Sequence, residues 1–334
     1  MLKPLSIYAL LLLISGTAFA QSKTSAVSSA TSIAFLTNDG HYVSTRDSAD
    51  YIRVITSPDS GSTLYNVQEV YKNNHRKFIG KSSKGNLLYP EGQCIGFYPN
   101  GNKKFMENYV SGKLNGVCYY YYPNGKIYNV REYIPYDRKD RQVMGGTISF
   151  NYIIKDCLDS TGKVLVKDGF GHYVGYDNYF KHIEEEGAVK NGKRDSTWTG
   201  VETNLKVKFT EQYADGKLVS GSSTDSAGVT HTYTQRVTLP QYKGGETALY
   251  RYLGSHIEYP KDAVEKNIHG TVVLKFVVKR DGSLTAVEVL KSVSSDLDEE
   301  AMRVVKGMKG WLPGQSYGIP EQVYYMLPVT FALQ

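Results

Sequence analysis

The stretch GQCIGFYPNGNKKFMENYVSGKLNGVCYYYYPNGK, Gly92–Lys126, carries one pattern twice. Gly92, Cys94 and Tyr98-Pro99-Asn100-Gly101 return as Gly116, Cys118 and Tyr122-Pro123-Asn124-Gly125, each 24 residues later. Further along, Asn191-Gly192-Lys193 returns as Asp215-Gly216-Lys217 at the same offset of 24. A short period with Asn-Gly or Asp-Gly at fixed phase predicts one β-hairpin per repeat, because these dipeptides supply the positive φ that tight turns need. Tyr119–Tyr122 is then the strand entering such a turn, with alternate rings on opposite faces. The four tyrosines admit two readings. They pack as cross-strand pairs, or they form an aromatic platform for a sugar or a nucleic acid. The repeat favours packing.

These residues resemble MORN-type repeats, over about Lys81–Lys126 and Gly187–Gly221. The resemblance implies stacked hairpins in an extended, twisted sheet. Equivalent positions in adjacent hairpins lie two strand spacings apart, about 9–10 Å, beyond the reach of a disulfide. Cys94 and Cys118 are therefore not expected to bridge. With Cys157 they make three cysteines, which leaves at least one unpaired within the chain.

Composition agrees with a β-rich chain. There are 28 tyrosines against 11 phenylalanines, and Tyr suits a strand half buried and half wet. Glycine, at 32, fits many turns. The formal net charge is +6 without a basic run, which argues against nucleic-acid binding. The first twenty residues, MLKPLSIYALLLLISGTAFA, read as a cleaved export signal: one lysine, an apolar run from Leu5 to Ile14, then Ala18-Phe19-Ala20. Cleavage after Ala20 places the protein in the periplasm. An uncleaved segment would instead anchor it to the inner membrane.

The expected organisation is a signal at 1–20, a flexible tail at 21–32 and a hairpin-repeat region at 33–228. A linker or extra strand follows at 229–239, then a separate terminal domain at 240–334. The small, polar GSSTDSAG, Gly221–Gly228, is the best linker candidate. Within the repeat region, IAFLTNDGHYVSTRDSADYIRVI and GKVLVKDGFGHYVGYD read as further hairpins.

Beyond Pro240 the pattern changes. Ala248, Leu249, Tyr252, Leu253 and Ile257 have helical spacing. Pro260 can open a short helix with Ala263, Val264 and Ile268 inward. Two strands follow around Asp281-Gly282, with Val272, Leu274, Phe276 and Val278 on one face. Leu297, Ala301, Val304, Val305 and Met308 then make an apolar helical stripe. Asp298, Glu299 and Glu300 lie at its start and Lys306 and Lys309 at its end, which complements the helix dipole without a metal. In the last strand Val323, Tyr325, Leu327, Val329, Phe331 and Leu333 alternate inward. Pro328 interrupts it, and a proline that cannot donate belongs at a sheet edge, a strand start or a bulge.

Pro240–Leu333 closely resembles the C-terminal domain of TonB, in the form common in Bacteroidetes-type bacteria. The resemblance rests on GGETALYRYL, IEYPKDAVEKNIHGTVVLKFVV, DGSLTAVEVLKSV, LDEEAMRVVKGM, WLPG and LPVTFAL, in that order. It implies a small α+β domain with helices packed on a three-stranded antiparallel sheet, so that the whole chain is a β-rich hairpin region followed by this domain. It also implies capture of a short outer-membrane receptor peptide as an extra strand beside the last strand. The site residues would then be Val323, Tyr324, Tyr325, Met326, Leu327, Pro328 and Val329, with Tyr259 and Pro260 at the position of the family's YP motif. The chain departs from a TonB energy transducer in two ways. Its N-terminal apolar segment holds no histidine, and a Tyr-rich repeat region replaces a Pro-rich spacer.

No HExxH, G-x-S-x-G or P-loop is present, and nothing nominates a nucleophile or base. His182–Gly187, HIEEEG, reads as a solvated charge run. No enzymatic activity, cofactor or metal is expected. The leading expectation is a periplasmic binding protein in TonB-linked transport whose partner is a receptor peptide. Two alternatives stay open: an envelope protein whose tyrosine-rich sheet binds peptidoglycan or another glycan, and an anchored transducer working with an inner-membrane proton-channel complex. A homodimer through the last strand is a further possible partnership.

Overall fold

The computed structural model describes residues 30–134 and 152–333. The expected signal and most of the expected tail lie outside them. The first strand, Ala30–Leu36, opens within the last three residues of that tail.

Among the described residues, eighteen strands between Ala30 and Tyr233 form one antiparallel sheet, in which nearly every strand pairs with its neighbours in sequence. The sequence period has a visible cause. Tyr71, Tyr98 and Tyr122 each stand just before a turn, and each donates its hydroxyl to a main-chain carbonyl further along the stack: Phe97 (2.8 Å), Tyr121 (2.7 Å) and Leu158 (2.9 Å). Asn73, Asn100 and Asn124 do the same from the turns themselves, to the carbonyls of Pro99 (3.1 Å), Pro123 (2.8 Å) and Ser160 (3.0 Å). At these three turns a tyrosine and an asparagine thus tie one hairpin to a later one. Tyr122 is the structural member of the tyrosine run: its ring is buried and packs on Phe180 at 4.7 Å.

Glycine does more than make turns. Gly96, Gly187, Gly200 and Gly221 lie inside strands, directly opposite Phe105, Trp198, Phe209 and Tyr233. Each ring lies over its glycine: a Cβ on Gly187 would meet the Trp198 ring at 2.3 Å, and one on Gly221 would meet Tyr233 at 2.3 Å. An aromatic covering a cross-strand glycine fixes register and curvature together.

That pairing corrects the expected linker. Gly221 to Thr224 belong to the strand Lys217–Thr224, which pairs with Thr230–Tyr233. Asp225 closes the intervening turn by accepting from the N–H groups of Ala227 and Val229, both at 2.9 Å. The small residues are there because a ring covers them and a tight turn follows.

The three cysteines are buried free thiols, each in the sheet core. Burial pushes Cys94 and Cys157 up to about 11 and raises Cys118. Thiolate is the reactive form, so the native protein should leave Ellman's reagent unreduced over the time in which the guanidinium-unfolded chain releases three equivalents. Rapid native release from any one would contradict this placement.

The C-terminal part is a small α+β unit. Helices α1 (Gly245–His256), α2 (Lys261–Glu265) and α3 (Ser295–Lys306) accompany a three-stranded antiparallel sheet with Gly270–Val278 in the middle, Leu284–Lys291 on one side and Val323–Phe331 on the other. Val272, Leu274, Phe276 and Val278 are fully buried against Leu249, Leu253, Leu297, Ala301, Val304 and Val305. Ser294 caps α3, its hydroxyl accepting from the N–H of Leu297. Two expected inward positions differ. Val264 is exposed, because α2 is one short turn and offers the core only Ala263. Leu333 lies beyond the last strand and is half-buried.

The two parts are joined by an unforeseen contact. Between the strands Gly314–Ser316 and Ile319–Glu321, Tyr317 and Gly318 both adopt positive φ, as a tight hairpin turn requires. Tyr317 is buried against Phe209 (5.2 Å) and Tyr233 (5.7 Å) of the large sheet. Ser223 donates to its carbonyl at 2.7 Å, and its N–H donates to the carbonyl of Arg236 at 2.6 Å. Beneath it lies a buried ionic network. The fully buried Glu211 accepts from Arg236 Nε at 2.7 Å and from the Tyr213 and Tyr233 hydroxyls at 2.9 Å each. Arg236 also reaches Glu185 at 3.4 Å, and Glu185 pairs with Arg194. The charge run His182–Gly187 is therefore not uniformly solvated: its middle carboxylate turns inward because two arginines await it.

Burial alone would raise the Glu185 carboxyl, but Arg194 and Arg236 outweigh it and hold it below its ordinary 4.5. A depressed folded pKa gives stability that is present above the ordinary value and lost as pH falls through the lowered one. The melting temperature should therefore drop between pH 5 and pH 3, and by less in Glu185→Gln. An equal drop in both proteins would remove Glu185 from the account.

Candidate functional site

The last strand, Val323–Phe331, pairs on one flank only. Its ladder with Gly270–Val278 runs from Phe331 opposite Gly270 to Val323 opposite Val278, with no register shift. Among the described residues no strand pairs with the other flank.

Pro328 tells which backbone groups face outward. It sits opposite Val273 in the unbroken ladder, and a proline fits there only where the neighbour asks for no N–H. In an antiparallel strand the direction of the backbone groups and the face of the side chain alternate together. Tyr324, Met326, Pro328 and Thr330 therefore share one orientation, with backbone toward the open flank and side chains on the sheet face away from the helices. Their exposure agrees: all four are exposed, Tyr324 by 67% and Met326 by 63%. The Thr330 hydroxyl meets that of Thr271, its cross-strand neighbour, at 3.0 Å. The open flank thus presents the N–H groups of Tyr324, Met326 and Thr330 and the carbonyls of all four residues. That is a template for an added strand, with one donor removed by Pro328.

The other expected site residues face the core. Leu327 and Val329 are buried, and Val323 and Tyr325 are half-buried. Tyr325 packs on Trp311 at 4.8 Å and on Phe276 at 5.6 Å, which stiffens the strand from beneath. On the exposed face Lys275 lies over the Tyr324 ring, its Nζ 4.6 Å from the centroid, and pairs with Glu288 at 3.0 Å. Tyr324 is thereby held upright beside the open flank.

Tyr259 and Pro260 stand apart from Tyr324 and Met326. The Tyr259 hydroxyl donates to the Ile268 carbonyl at 2.7 Å, and its ring meets Phe331 edge-on at 5.7 Å. Pro260 is the N-cap of α2 in extended conformation. Tyr259 buttresses the far end of the last strand from the core side. The structure brings together Tyr324, Met326, Pro328 and Thr330; Thr330 was not among the expected site residues, though the two-residue alternation already placed it in the row.

Comparison with known proteins agrees with this part of the chain. Residues 255–333 match the family described as Gram-negative bacterial TonB protein C-terminal. Two curated relatives, each called Protein TonB, from Helicobacter pylori strains J99 and 26695, are 30% identical over 83 residues. The match covers 25% of this chain and 28% of each relative, so the chain spans little more than a quarter of their length. Two NMR solution structures of Helicobacter pylori TonB-CTD are 25% and 24% identical and cover 26% of this chain. The matches take in 79% and 90% of those structures, with a TM-score of 0.21 in each. By the family match, residues 255–333 are a TonB-type C-terminal domain. Among the described residues no helix is long and apolar enough to cross a membrane.

Proposed function

We propose that the chain is an envelope protein of TonB-linked transport whose terminal domain takes an extended peptide of an outer-membrane receptor as a fourth strand beside Val323–Phe331. The observation that carries this reading is the open flank of that strand, with its row of outward backbone groups and exposed side chains. Main-chain hydrogen bonds would supply affinity, and Tyr324 and Met326 would contact alternate peptide side chains. The sheet of Ala30–Tyr233, a scaffold of MORN-type hairpins in this reading, would hold the domain through Tyr317, a residue outside the docking strand. Export and release from the inner membrane belong to the same proposal.

Fluorescence titration of the full chain with N-terminal peptides of outer-membrane receptors tests it. Saturable binding at micromolar peptide is expected. No binding up to high micromolar concentration, for peptides drawn from several receptors, would contradict it. Concentration-dependent dimerisation that a Met326 substitution abolishes would assign the flank to a second copy instead.

A further inference from the structure

A cleft of about 650 Å³ lies against the large sheet, lined mostly by its strands and closed in part by Arg236 and Tyr317 from beyond it. Its floor includes the strand Ile127–Tyr133, which is irregular on both sides. Its register shifts between Ile127 and Asn129 against one neighbour and between Val130 and Arg131 against the other. Such bulges re-aim side chains, and here Tyr128, Asn129 and Arg131 all line the cleft.

Two of these residues lack the partners that burial demands. Asn129 is 0% exposed, yet neither its Oδ1 nor its Nδ2 has a hydrogen-bond partner. The Arg131 Nε is buried and unpartnered. Its Nη2 donates to the Tyr173 hydroxyl at 2.8 Å, and its guanidinium lies 4.6 Å from the Tyr152 ring centroid and 5.1 Å from that of Tyr120. Among the described residues no carboxylate lies within ion-pair distance of it. A buried amide and a buried cation left this way each carry an uncompensated desolvation cost. The arrangement fits a site whose remaining partner is a ligand.

The lining narrows the ligand. Five acidic and three basic residues line the cleft, which disfavours a polyanion such as nucleic acid or a polyphosphate. Tyrosine rings offer flat faces to sugar C–H groups, and Asp177, Glu184 and Glu202 offer acceptors for hydroxyl donors. We propose that this cleft binds a saccharide bearing a single carboxylate, with the carboxylate at Arg131, ring hydroxyls or an amide at Asn129, and the sugar face on the surrounding tyrosines. This assignment is independent of the peptide reading of the last strand.

The experiment is ligand-observed NMR and calorimetry on the full chain with matched pairs: N-acetylmuramic acid against N-acetylglucosamine, and glucuronic acid against glucose. At least one acid should bind saturably, about tenfold tighter than its neutral counterpart, because a charged hydrogen-bonding partner adds roughly that much. Arg131→Gln should remove the preference for the acid, and Asn129→Ala should weaken both members of the pair. Circular dichroism and melting curves qualify each variant as folded. If Arg131→Gln fails to fold, the acid-against-neutral preference of the unaltered protein and the Asn129→Ala result still decide. Equal binding of acid and neutral sugar, no binding of any at ten millimolar, or binding only of an alanyl-alanine carboxylate probe would each overturn the proposal.

Discussion

Replacing Met326 by proline should weaken peptide docking at least tenfold while leaving the melting temperature nearly unchanged. The Met326 N–H faces the open flank, so the protein's own ladder does not use it, and the exposed side chain buries little. A docked peptide would use it. Removing that donor costs the bond, about 1 kcal/mol, and strands a peptide carbonyl against the sheet for about 1–3 kcal/mol more. Each 1.4 kcal/mol is a factor of about ten in affinity. The reverse change is equally informative. Pro328→Val restores a donor between Met326 and Thr330 and should tighten peptide binding several-fold or promote pairing of two copies, the hazard that edge prolines suppress. Titrations of the two variants read both effects. Unchanged affinity in Met326→Pro would mean that the peptide, if it binds, binds elsewhere.

The largest stability effect should come from Glu211→Ala. Glu211 is fully buried and accepts from Tyr213, Tyr233 and Arg236, the last through two nitrogens at 2.7 and 2.5 Å. Its removal leaves Arg236 buried with the longer contact to Glu185 as its remaining ion pair, beside the rings of Phe209 and Tyr317. Breaking a buried ion pair from one side costs about 3–5 kcal/mol. Because Arg236 and Tyr233 also support Tyr317, the loss should fall on the contact between the large sheet and the terminal domain. The variant should melt in two steps where the unaltered chain melts in one. Glu211→Met combined with Arg236→Leu should recover much of the loss, since well-packed apolar replacements of a buried pair are often neutral or better. A single step with unchanged midpoint in Glu211→Ala would show that the network does not hold the two parts together.

The terminal domain was legible because its signals are local. Val272 to Val278 alternate by two, the α3 stripe repeats by three and four, and Pro328 marks an edge from its own chemistry. The hairpin region was legible at its turns, where Asn-Gly and Asp-Gly dictate backbone sign. Its glycines were misread for lack of a partner: Gly221 looks like linker until Tyr233 is placed above it. The contact through Tyr317 was invisible for the same reason, since Ser223 and Tyr317 meet across 94 residues of sequence. Glu185 looked solvated because its neighbours Glu184 and Glu186 are charged too, and the arginines that draw it inward, Arg194 and Arg236, stand elsewhere in the sequence. Asn129 and Arg131 carry no motif. Only bulges in their strand aim them at one cleft, and bulges leave little trace in a single sequence.

Amide hydrogen exchange resolved to single residues, with and without a receptor N-terminal peptide, tests the docking edge most directly. The account predicts that Tyr324, Met326 and Thr330 exchange readily in the free protein and slow markedly on saturation, while Tyr325 and Leu327, already bonded within the sheet, stay slow throughout. Saturating peptide that leaves those three amides unprotected, or protects the Leu284–Lys291 edge in their place, would contradict it.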